Sequence, residues 1–197
     1  MLIYGAGGHA KVVRSILTAC GEHVKGIFDD HWPSVKLQDC QAVREYTPMF
    51  MPDEALIIAI GHNHDRRRVA EKLLHAFGTA IHPTAILDPT VCIGQGVVMV
   101  HRAIVQADCR IGNHVIINTA AIVDHECMLD DFVHVGPGAT LCGGVRVSEC
   151  TLVGAGSVIL PGVCVGRECN IGAGSVVLRD VPDGATVFGN QARIIHK

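Results

Sequence analysis

Residues 111–135 decide the fold, and in blocks of six they read IGNHVI, INTAAI, VDHECM, LDDFVH and V. Each full block opens with an aliphatic residue, and its fifth residue is small or β-branched. The same pattern runs unbroken from residue 81 to residue 181. The first positions, all aliphatic or Met, are Ile81, Leu87, Ile93, Met99, Val105, Ile111, Ile117, Val123, Leu129, Val135, Leu141, Val147, Val153, Ile159, Val165, Ile171 and Val177.

A period of six fits neither an α-helix, which repeats about every 3.6 residues, nor a simple strand, which alternates about every two. It is typical of a solenoid in which each hexapeptide supplies a short strand and a corner. Three hexapeptides then form one triangular coil of eighteen residues, and the coils stack as parallel strands. The sequence therefore predicts a left-handed parallel β-helix over residues 81–197, preceded by a Rossmann-like α/β half-domain over residues 1–80.

Composition narrows the classes of function. The net charge is −3 and only 18% of the 197 residues are Asp, Glu, Lys or Arg, so no basic surface is expected to attract a polyanion. The mean hydropathy of +0.34 comes from the solenoid, where Gly or a polar residue interrupts each apolar run before it could span a membrane. We therefore expect no nucleic-acid partner and no membrane insertion.

Nine cysteines are present, and their positions indicate packing rather than cross-linking. Cys109, Cys127 and Cys169 occupy the small fifth position of the repeat, where a thiol acts as a small apolar group. The opening residues, with a polar stretch from Gly5 to Lys11, do not resemble a secretory leader. We expect a reducing, cytoplasmic location.

The first eighty residues alternate between short strands and helices. We predict strands over residues 1–4, 24–28 and 55–60, a first helix that ends at Gly21, and a second helix over residues 65–77. Residues 31–54 contain Trp32 and three prolines, and their elements cannot be placed from the sequence.

The first strand runs into the turn Gly5-Ala6-Gly7-Gly8-His9-Ala10, and the second ends at Asp29-Asp30. This order matches the dinucleotide-binding fingerprint, in which glycines let the backbone approach a phosphate at a helix N-terminus. Eighty residues provide only one half of a full dinucleotide fold, so a nucleotide or nucleotide-sugar site is favoured over NAD. A tight glycine turn without a ligand is the alternative.

The coil period also identifies a candidate general base. His125 falls at the third position of its hexapeptide, so we predict an outward-pointing corner residue with Gly143, eighteen residues on, directly above it. Asp124 and Glu126 flank this histidine, and a carboxylate beside an imidazole suits a general base. Above His125 we predict open space and an exposed Gly143 N–H where a substrate carbonyl could rest. An exposed corner histidine without a catalytic role is the alternative.

Metal binding is disfavoured by the spacing of the histidines. From His82 onward they include no close pair that resembles a zinc ligand set. His62 and His64 follow the third predicted strand and are interpreted as loop polarity. We expect no metal cofactor.

Two outward surfaces of the predicted prism suggest binding. On one corner the small residues Ala155 and Ala173 stack above Pro137, which would let an extended ligand lie along the prism. One face is apolar at its outward positions, which normally marks an interface; its members are Ile86, Ile104, Ile122, Thr140, Val158 and Val176. We predict a homotrimer that buries this face, with part of the neighbouring face, from Val98 to Asn170, lining a groove between subunits.

Further motifs are Ile58 to Asn63, Asn118 to Val135, Asp180 to Gly184 and Gly189-Asn190. Together with the glycine turn and Asp29-Asp30 they resemble the nucleotide-sugar N-acetyltransferases of the sialic-acid O-acetyltransferase-like hexapeptide family. The resemblance covers essentially the whole chain, although Gln191 departs from the proline that usually follows Gly-Asn. Its nearest types acetylate the 4-amino group of a UDP-linked deoxy-sugar made for bacterial glycans.

The resemblance implies a role for each motif. The N-terminal domain would hold the nucleotide-sugar through Gly7, Gly8, His9, Asp29, Asp30 and Gly61. Acetyl-CoA, the co-substrate, would bind in a groove between the subunits of a trimer, near His134, Gly143, Ala155 and Ala173. His125 would be the general base, and Glu126 the carboxylate that raises its basicity.

We therefore predict an acetyl-CoA-dependent N-acetyltransferase that acts directly on the amine of a nucleotide-linked amino-sugar, without an acyl-enzyme. O-acetylation of a free sugar such as sialic acid is the competing enzymatic interpretation. A nucleotide-sugar-binding solenoid without activity is the non-enzymatic one. The sequence leaves open the nucleotide base, the sugar epimer and the pathway.

Overall fold

A computed structural model describes residues 1–31 and 45–195. Much of the stretch 31–54 that the sequence could not place lies outside these residues, as does His196. Residues 45–54 contain turns but no helix or strand. The described chain consists of an N-terminal α/β region and a long parallel β-helix.

The N-terminal region is a three-stranded parallel sheet with two helices. Its elements are β1 (Leu2–Tyr4), α1 (Gly8–Ala19), β2 (Gly26–Phe28), β3 (Leu56–Ile58) and α2 (Asn63–Ala70). The strands lie in the order β2-β1-β3. Val13 and Ile16 of α1 are buried in one apolar cluster with Ile3 and Ile57 of the sheet, because the apolar stripe of the helix faces the strands. The predicted sequence of strand, glycine turn and helix is confirmed.

The second helix is shorter than predicted, since it ends at Ala70. The Leu56 N–H donates to the Ala76 carbonyl, and the Gly78 N–H donates to the Leu56 carbonyl. Residues 76–78 therefore extend beside β3, and backbone groups that pair with a strand cannot also complete a helix. The apolar spacing that favoured a longer helix reflects burial of residues such as Leu73.

From residue 80 onward a two-residue strand recurs every six residues, so the predicted parallel β-helix is confirmed. Its strands form three sheets, which are the three faces of a prism. The eight-stranded face contains β4 (Ala80–Ile81), β7 (Val98–Met99), β10 (Ile116–Ile117), β13 (His134–Val135), β16 (Leu152–Val153), β19 (Asn170–Ile171) and the C-terminal hairpin β21 (Thr186–Phe188) and β22 (Arg193–Ile195). The six-stranded face contains β5 (Ile86–Leu87), β8 (Ile104–Val105), β11 (Ile122–Val123), β14 (Thr140–Leu141), β17 (Val158–Ile159) and β20 (Val176–Val177). The five-stranded face contains β6 (Cys92–Ile93), β9 (Arg110–Ile111), β12 (Met128–Leu129), β15 (Arg146–Val147) and β18 (Cys164–Val165).

The interior of the prism follows the predicted register. Val123 pairs with Val105 below and with Leu141 above, so successive coils are eighteen residues apart. All three side chains are fully buried. Cys109 and Cys127 fill fifth positions of the same apolar core, as predicted, and the eight cysteines among the described residues are all free.

The N-terminal region covers the first coils of the eight-stranded face. Val98 and Ile116 point out of the prism, yet they are buried in the cluster that contains Val13 and Ile16 of α1. These two residues therefore lie outside the part of this face that could line the predicted groove between subunits, because the chain covers them itself. Two faces carry apolar outward residues, and the sequence pattern alone could not tell which of them meets the N-terminal region.

A buried arginine joins the N-terminal region to the β-helix. Arg66 of α2 is only 1% exposed, and each of its five N–H groups is directed at an oxygen atom. The acceptors, at 2.8–3.1 Å, are the carbonyl oxygens of His114, Phe132, Ile60 and Gly61 and the side-chain oxygen of Asn63. Burial lowers the pKa of Arg66 to about 10, so the guanidinium remains charged at neutral pH.

The β-helix supplies these acceptors from one corner. His114, Phe132 and Cys150 are eighteen residues apart and adopt positive φ angles of 54°, 60° and 57°. The carbonyl groups of His114 and Phe132 accept from Arg66, and that of Cys150 accepts from the Asn63 amide at 3.0 Å. Successive coils thus present a regular column of acceptors to α2.

His114 lies between two phenylalanine rings at this corner. Its ring centroid is 5.1 Å from that of Phe132, with the planes 8° apart, and 4.5 Å from that of Phe77. Its Nδ1 is buried and has no hydrogen-bond partner among the described residues. Burial, helped by the nearby Arg66 charge, lowers the pKa of His114 from 6.5 to about 4.

We predict that His114→Phe raises the free energy of unfolding, and that the gain grows as the pH falls from about 6.5 to about 4. Between these values His114 binds a proton in the unfolded state but not in the folded state, whereas above them both states are neutral. The pH-dependent part of the gain amounts to roughly 3 kcal/mol. Phe132 already holds a ring at the equivalent left-handed corner, so the substitution fits the backbone.

Urea denaturation of both proteins at several pH values measures the gain. A difference in free energy that stays constant from pH 7 to pH 4 would contradict a buried, neutral His114.

Candidate active site

A cleft of about 400 Å³ opens at the carboxyl ends of the three N-terminal strands. The six residues predicted to contact a nucleotide-sugar all line it, and they are Gly7, Gly8, His9, Asp29, Asp30 and Gly61. In open α/β sheets, ligands bind at this carboxyl edge. The fold thus brings together three segments that are distant in the sequence, while the role of each residue stays a prediction.

The start of α1 is suited to an anion. Gly7 is its N-cap residue, no side chain caps it, and its first turn contains no acidic residue. The first N–H groups of a helix lack intrahelical partners and carry partial positive charge. A Cβ atom at Gly7 or Gly8 would meet no atom within 4 Å, so there is open space beside these N–H groups. A phosphate group fits this position.

The two aspartates at the end of β2 differ in their contacts. The Asp29 carboxylate accepts the Ala6 N–H at 2.7 Å and the His31 N–H at 2.8 Å, so it ties the glycine turn to the end of β2. The Tyr4 hydroxyl donates to Asp30, and burial together with this bond raises the pKa of Tyr4. Asp29 therefore shapes the cleft, and direct ligand contact by either carboxylate stays a prediction.

Three further cleft residues, His62, Asp65 and Arg68, lie at the N-cap of α2 and within this helix, and they were not predicted from the sequence. Arg68 donates to Asp65 at 2.8 Å, and Nδ1 of His62 lies 3.0 Å from the same carboxylate. All three residues line the cleft, so the interpretation of His62 as loop polarity overlooked its position. Their position in the sequence, directly after β3, could have indicated that they line the cleft, because that strand ends beside the glycine turn.

His134 lies where the cleft meets the β-helix. Its Nδ1 is 3.1 Å from the Gly61 carbonyl oxygen, and its Nε2 is 3.0 Å from the amide nitrogen of Asn118. A carbonyl oxygen only accepts, so Nδ1 carries the proton and Nε2 accepts from the amide. Burial and the Arg66 charge lower the pKa of His134 to about 4. Both nitrogens are satisfied within the chain, and the predicted contact with acetyl-CoA could use only the ring carbons.

His9 is a second neutral imidazole at the base of the cleft. Burial, reinforced by His134 and Arg66, lowers its pKa to about 4. Its Nε2 is buried and has no partner within the described part of the chain. At neutral pH neither histidine supplies positive charge, so an anion in the cleft would rely on the helix N-terminus and on Arg68.

His125 lies at the corner between the six- and five-stranded faces, with its side chain 57% exposed. Its Nδ1 is 3.0 Å from a carboxylate oxygen of Glu126. A carboxylate accepts the proton of Nδ1, which leaves a lone pair on Nε2. Asp124 accepts the backbone N–H of His125 at 2.8 Å, so it holds the backbone of this corner and does not orient the imidazole ring. This arrangement suits a general base.

The His125 ring lies over Gly143, as the coil period predicted. The Gly144 N–H donates to the His125 carbonyl at 2.9 Å, and a Cβ atom at Gly143 would come within 2.6 Å of the ring. The ring itself therefore fills the space that we predicted to be open, and glycine is needed there to accommodate it. Among the described residues no acceptor pairs with the Gly143 N–H, so its use by a substrate carbonyl stays a prediction.

The predicted column of small residues lies on the corner between the eight- and six-stranded faces. The Gly156 N–H donates to the Pro137 carbonyl and the Gly174 N–H to the Ala155 carbonyl, both at 2.8 Å. Pro137, Ala155 and Ala173 are all exposed. The corner is therefore open along three successive coils.

Within one chain the cleft and His125 lie on opposite sides of the prism. The cleft sits over the eight-stranded face, where Gly61 contacts His134. His125 lies at the corner that joins the other two faces, between β11 and β12. A ligand in the cleft is thus separated from His125 of the same chain by the β-helix itself.

The described residues contain neither a metal-ligand group nor a membrane-spanning helix. Among residues 1–31 and 45–195, no group of three or more His, Cys, Asp or Glu side chains is placed to hold a metal ion. None of the helices in these ranges has the length and apolar character needed to cross a membrane.

Comparison with known proteins identifies the family. Residues 1–73 match the family model of the PglD N-terminal domain. UDP-N-acetylbacillosamine N-acetyltransferase of Bacillus subtilis is 39% identical over 108 residues, a match that spans 50% of this chain and 50% of that enzyme.

Solved structures match over nearly the full length. A mutant of perosamine N-acetyltransferase from Caulobacter crescentus, in complex with CoA and GDP-perosamine, is 37% identical with a TM-score of 0.95, covering 100% of this chain and 96% of that one. The acetyltransferase domain of PglB from Neisseria gonorrhoeae, in complex with acetyl coenzyme A, is 35% identical with a TM-score of 0.90, covering 98% of both chains. The chain therefore belongs to the nucleotide-sugar N-acetyltransferases of the hexapeptide-repeat family.

Proposed function

We propose that this protein transfers the acetyl group of acetyl-CoA to the amine of a nucleotide-linked amino-deoxy-sugar used in bacterial glycan synthesis. The observation that carries the proposal is the His125–Glu126 pair on the β-helix. The N-terminal region of the same chain adds a cleft that contains the uncapped start of α1. The relatives crystallised with CoA, acetyl coenzyme A or GDP-perosamine support it. Residues 1–80 would bind the nucleotide-sugar, and residues 81–197 would carry the transfer, in the cytoplasm where acetyl-CoA is available.

The chemistry follows from the lone pair on Nε2 of His125. The amine nitrogen attacks the thioester carbonyl carbon, and Nε2 accepts the proton that the amine loses. Glu126, bonded to Nδ1, stabilises the imidazolium that forms. The Gly143 N–H donates to the oxygen of the tetrahedral intermediate. The C–S bond then breaks, the imidazolium returns its proton to the departing sulfur, and coenzyme A leaves as its thiol, so no cysteine of the protein takes part.

A homotrimer would complete the site. On the six-stranded face Ile86 is 60% exposed and Ile122 is 37% exposed. Ile104 pairs with both, and such a contiguous apolar strip normally marks an interface. We place this face toward a threefold axis. Around such an axis the His125 corner of one subunit adjoins the corner of Ala155 and Ala173 in the next. The cleft beside that corner would then face His125 of the neighbour, with acetyl-CoA in the groove between them.

Thiol release measures the reaction directly. Acetyl-CoA should yield free thiol only when an amino-sugar linked to UDP, dTDP or GDP is present. Release with free sialic acid would instead favour O-acetylation, and no release with any acceptor would favour a binding module. A thermal-shift comparison of UDP, dTDP and GDP identifies the base, because a ligand that binds only the folded state stabilises it.

Replacing the proposed base should slow turnover without affecting folding. We expect His125→Ala to lower kcat by roughly 10²- to 10⁴-fold and to leave the thermal unfolding midpoint and the oligomeric state unchanged, since the ring is largely exposed. His23→Ala, another exposed histidine, is the control and should keep full activity. Activity of His125→Ala within a few-fold of wild type would refute the assignment.

Filling the space at the start of α1 should affect one ligand only. We expect Gly8→Val to weaken binding of the nucleotide-sugar by about tenfold or more, because a branched side chain would occupy the phosphate position. Acetyl-CoA affinity should not change, and the folded state should tolerate the valine, because no atom lies near its Cβ position. Calorimetric titration of each ligand gives both values, with Ser15→Val on the exposed side of α1 as control. Equal loss of both ligands would show that the two sites are not separate.

Charges on the six-stranded face should separate the subunits. We expect Ile104→Asp combined with Ile122→Asp to yield an inactive monomer with His125 intact, because the interface would bury charges without partners. Met128→Asp, on the five-stranded face with a similar exposure of 39%, should remain trimeric. Light scattering measures the mass of each variant. A monomeric wild type at micromolar concentration, or an active double variant, contradicts the proposed assembly.

A further inference from the structure

We infer that Phe188 of one subunit and Arg179 of its neighbour recognise the adenosine-phosphate end of acetyl-CoA, and so determine the preference for CoA thioesters over shorter ones. This inference rests on the proposed function and on the proposed trimer. It concerns the end of the co-substrate that is farthest from His125.

Phe188 is a large aromatic side chain that lies outside the core. It is 46% exposed, and the pairing of β21 with β19 places it beside Gly172. A Cβ atom at Gly172 would lie only 2.1 Å from the ring. The ring therefore packs directly against Gly172, and a larger residue at position 172 would clash with it. Gly172 directly precedes Ala173, and the ring therefore borders the open corner of Pro137, Ala155 and Ala173.

Arg179 lies in the column of His125. The positions eighteen residues apart on that corner are His125, Gly143, Pro161 and Arg179. The pairing of β17 with β20 carries the coil register as far as Val177, and the corner that follows is two residues shorter, because Val181 pairs with Val165. Arg179 is exposed, and no ion pair involves it within the described parts of the chain. The adjacent Asp180 is engaged, because its carboxylate accepts the Cys164 N–H at 2.8 Å. The guanidinium is thus available to an anion.

The two residues lie at the height that acetyl-CoA requires. Three coil spacings separate Arg179 from His125, which is roughly 14 Å at about 4.8 Å per coil. The arm from the sulfur of CoA to its first phosphorus has about 13 bonds and spans roughly 15 Å when extended, at about 3.4 Å for every three bonds. A thioester at His125 therefore puts the phosphates level with Arg179.

Around the proposed axis, the His125 corner of one subunit faces the open corner of the next, where Phe188 lies. The exposed ring offers a stacking surface to adenine, whose flat face is apolar. The guanidinium offers charge to the phosphates from the opposite wall of the groove. Alternatively, Phe188 only packs the C-terminal hairpin. In that case its loss would affect every acetyl donor equally.

Kinetics with two acetyl donors, acetyl-CoA and S-acetylpantetheine, distinguish a role in CoA recognition from a role in packing. S-acetylpantetheine retains the arm and the thioester of acetyl-CoA but lacks the phosphates and the adenosine. We expect Phe188→Ala to raise KM for acetyl-CoA by roughly 5- to 100-fold, the range measured for lost base stacking, and to leave KM for S-acetylpantetheine unchanged. Phe188→Tyr should restore wild-type behaviour. Ile195→Ala, on the same hairpin and 49% exposed, is the matched control.

Arg179 has its own measurable signature. We expect Arg179→Gln to raise KM for acetyl-CoA several-fold and to weaken its dependence on salt, since one screened charge pair is lost. KM for S-acetylpantetheine should not change. Arg167→Gln, at a different corner where Arg167 pairs with Asp183, should behave as wild type.

The inference is overturned by a Phe188→Ala protein whose KM rises equally for both donors, or whose KM for acetyl-CoA stays within twofold of wild type. A wild type that transfers acetyl groups from neither donor would count against the proposed function instead. In that case calorimetric binding of CoA and of pantetheine to the same variants still decides the inference, with selective loss of CoA affinity expected.

Discussion

The structure depends on how Arg66 is buried. A buried charge is normally paired with an opposite charge, yet no carboxylate among the described residues contacts this guanidinium. Its five N–H groups instead meet five oxygen atoms, two of them on the β-helix. Loss of the side chain would leave four of these oxygens without a protein donor, since only the Gly61 carbonyl has a second donor, in His134.

The hydrogen bonds of Arg66 also fix the position of the cleft relative to the β-helix. Arg66 also donates to the Gly61 carbonyl, and the same oxygen accepts from His134. One wall of the cleft is therefore bonded to α2 and to the eight-stranded face together. The cleft is held away from the corner of His125, and closing the distance within one chain would require breaking this buried network. In the mechanism we propose, a second subunit would bring His125 close to the substrate, since effective catalysis needs that proximity.

Much of this could be predicted because a solenoid repeats. Once the period of six was recognised, the contact of His125 with Gly143 and the column of Ala155 and Ala173 followed from counting eighteen residues. The cleft residues followed from local chemistry, since glycines before a helix and acids after a strand meet at one sheet edge. Such features need only nearby sequence or a constant register.

The features that were missed depend on docking between distant segments. The roles of Arg66 and His134 arise only when α2 meets the corner carbonyls, and no local pattern encodes that meeting. The end of α2 at Ala70 was missed because residues 76–78 pair with β3, which periodicity does not reveal. The predicted open space at Gly143 was wrong because the size of the neighbouring imidazole was not considered. In each case a tertiary contact decided the outcome.

We propose that each site combines the cleft of one subunit with His125 of the next. Co-expression of His125→Ala with Gly8→Val tests this proposal most directly, because each variant alone should keep no more than about a tenth of wild-type activity at a nucleotide-sugar concentration well below the wild-type KM. Random mixed trimers should recover about one quarter of wild-type activity, since that share of sites joins an intact cleft to an intact histidine. Mixed trimers, verified by two affinity tags, that remain as inactive as the separate variants would contradict it.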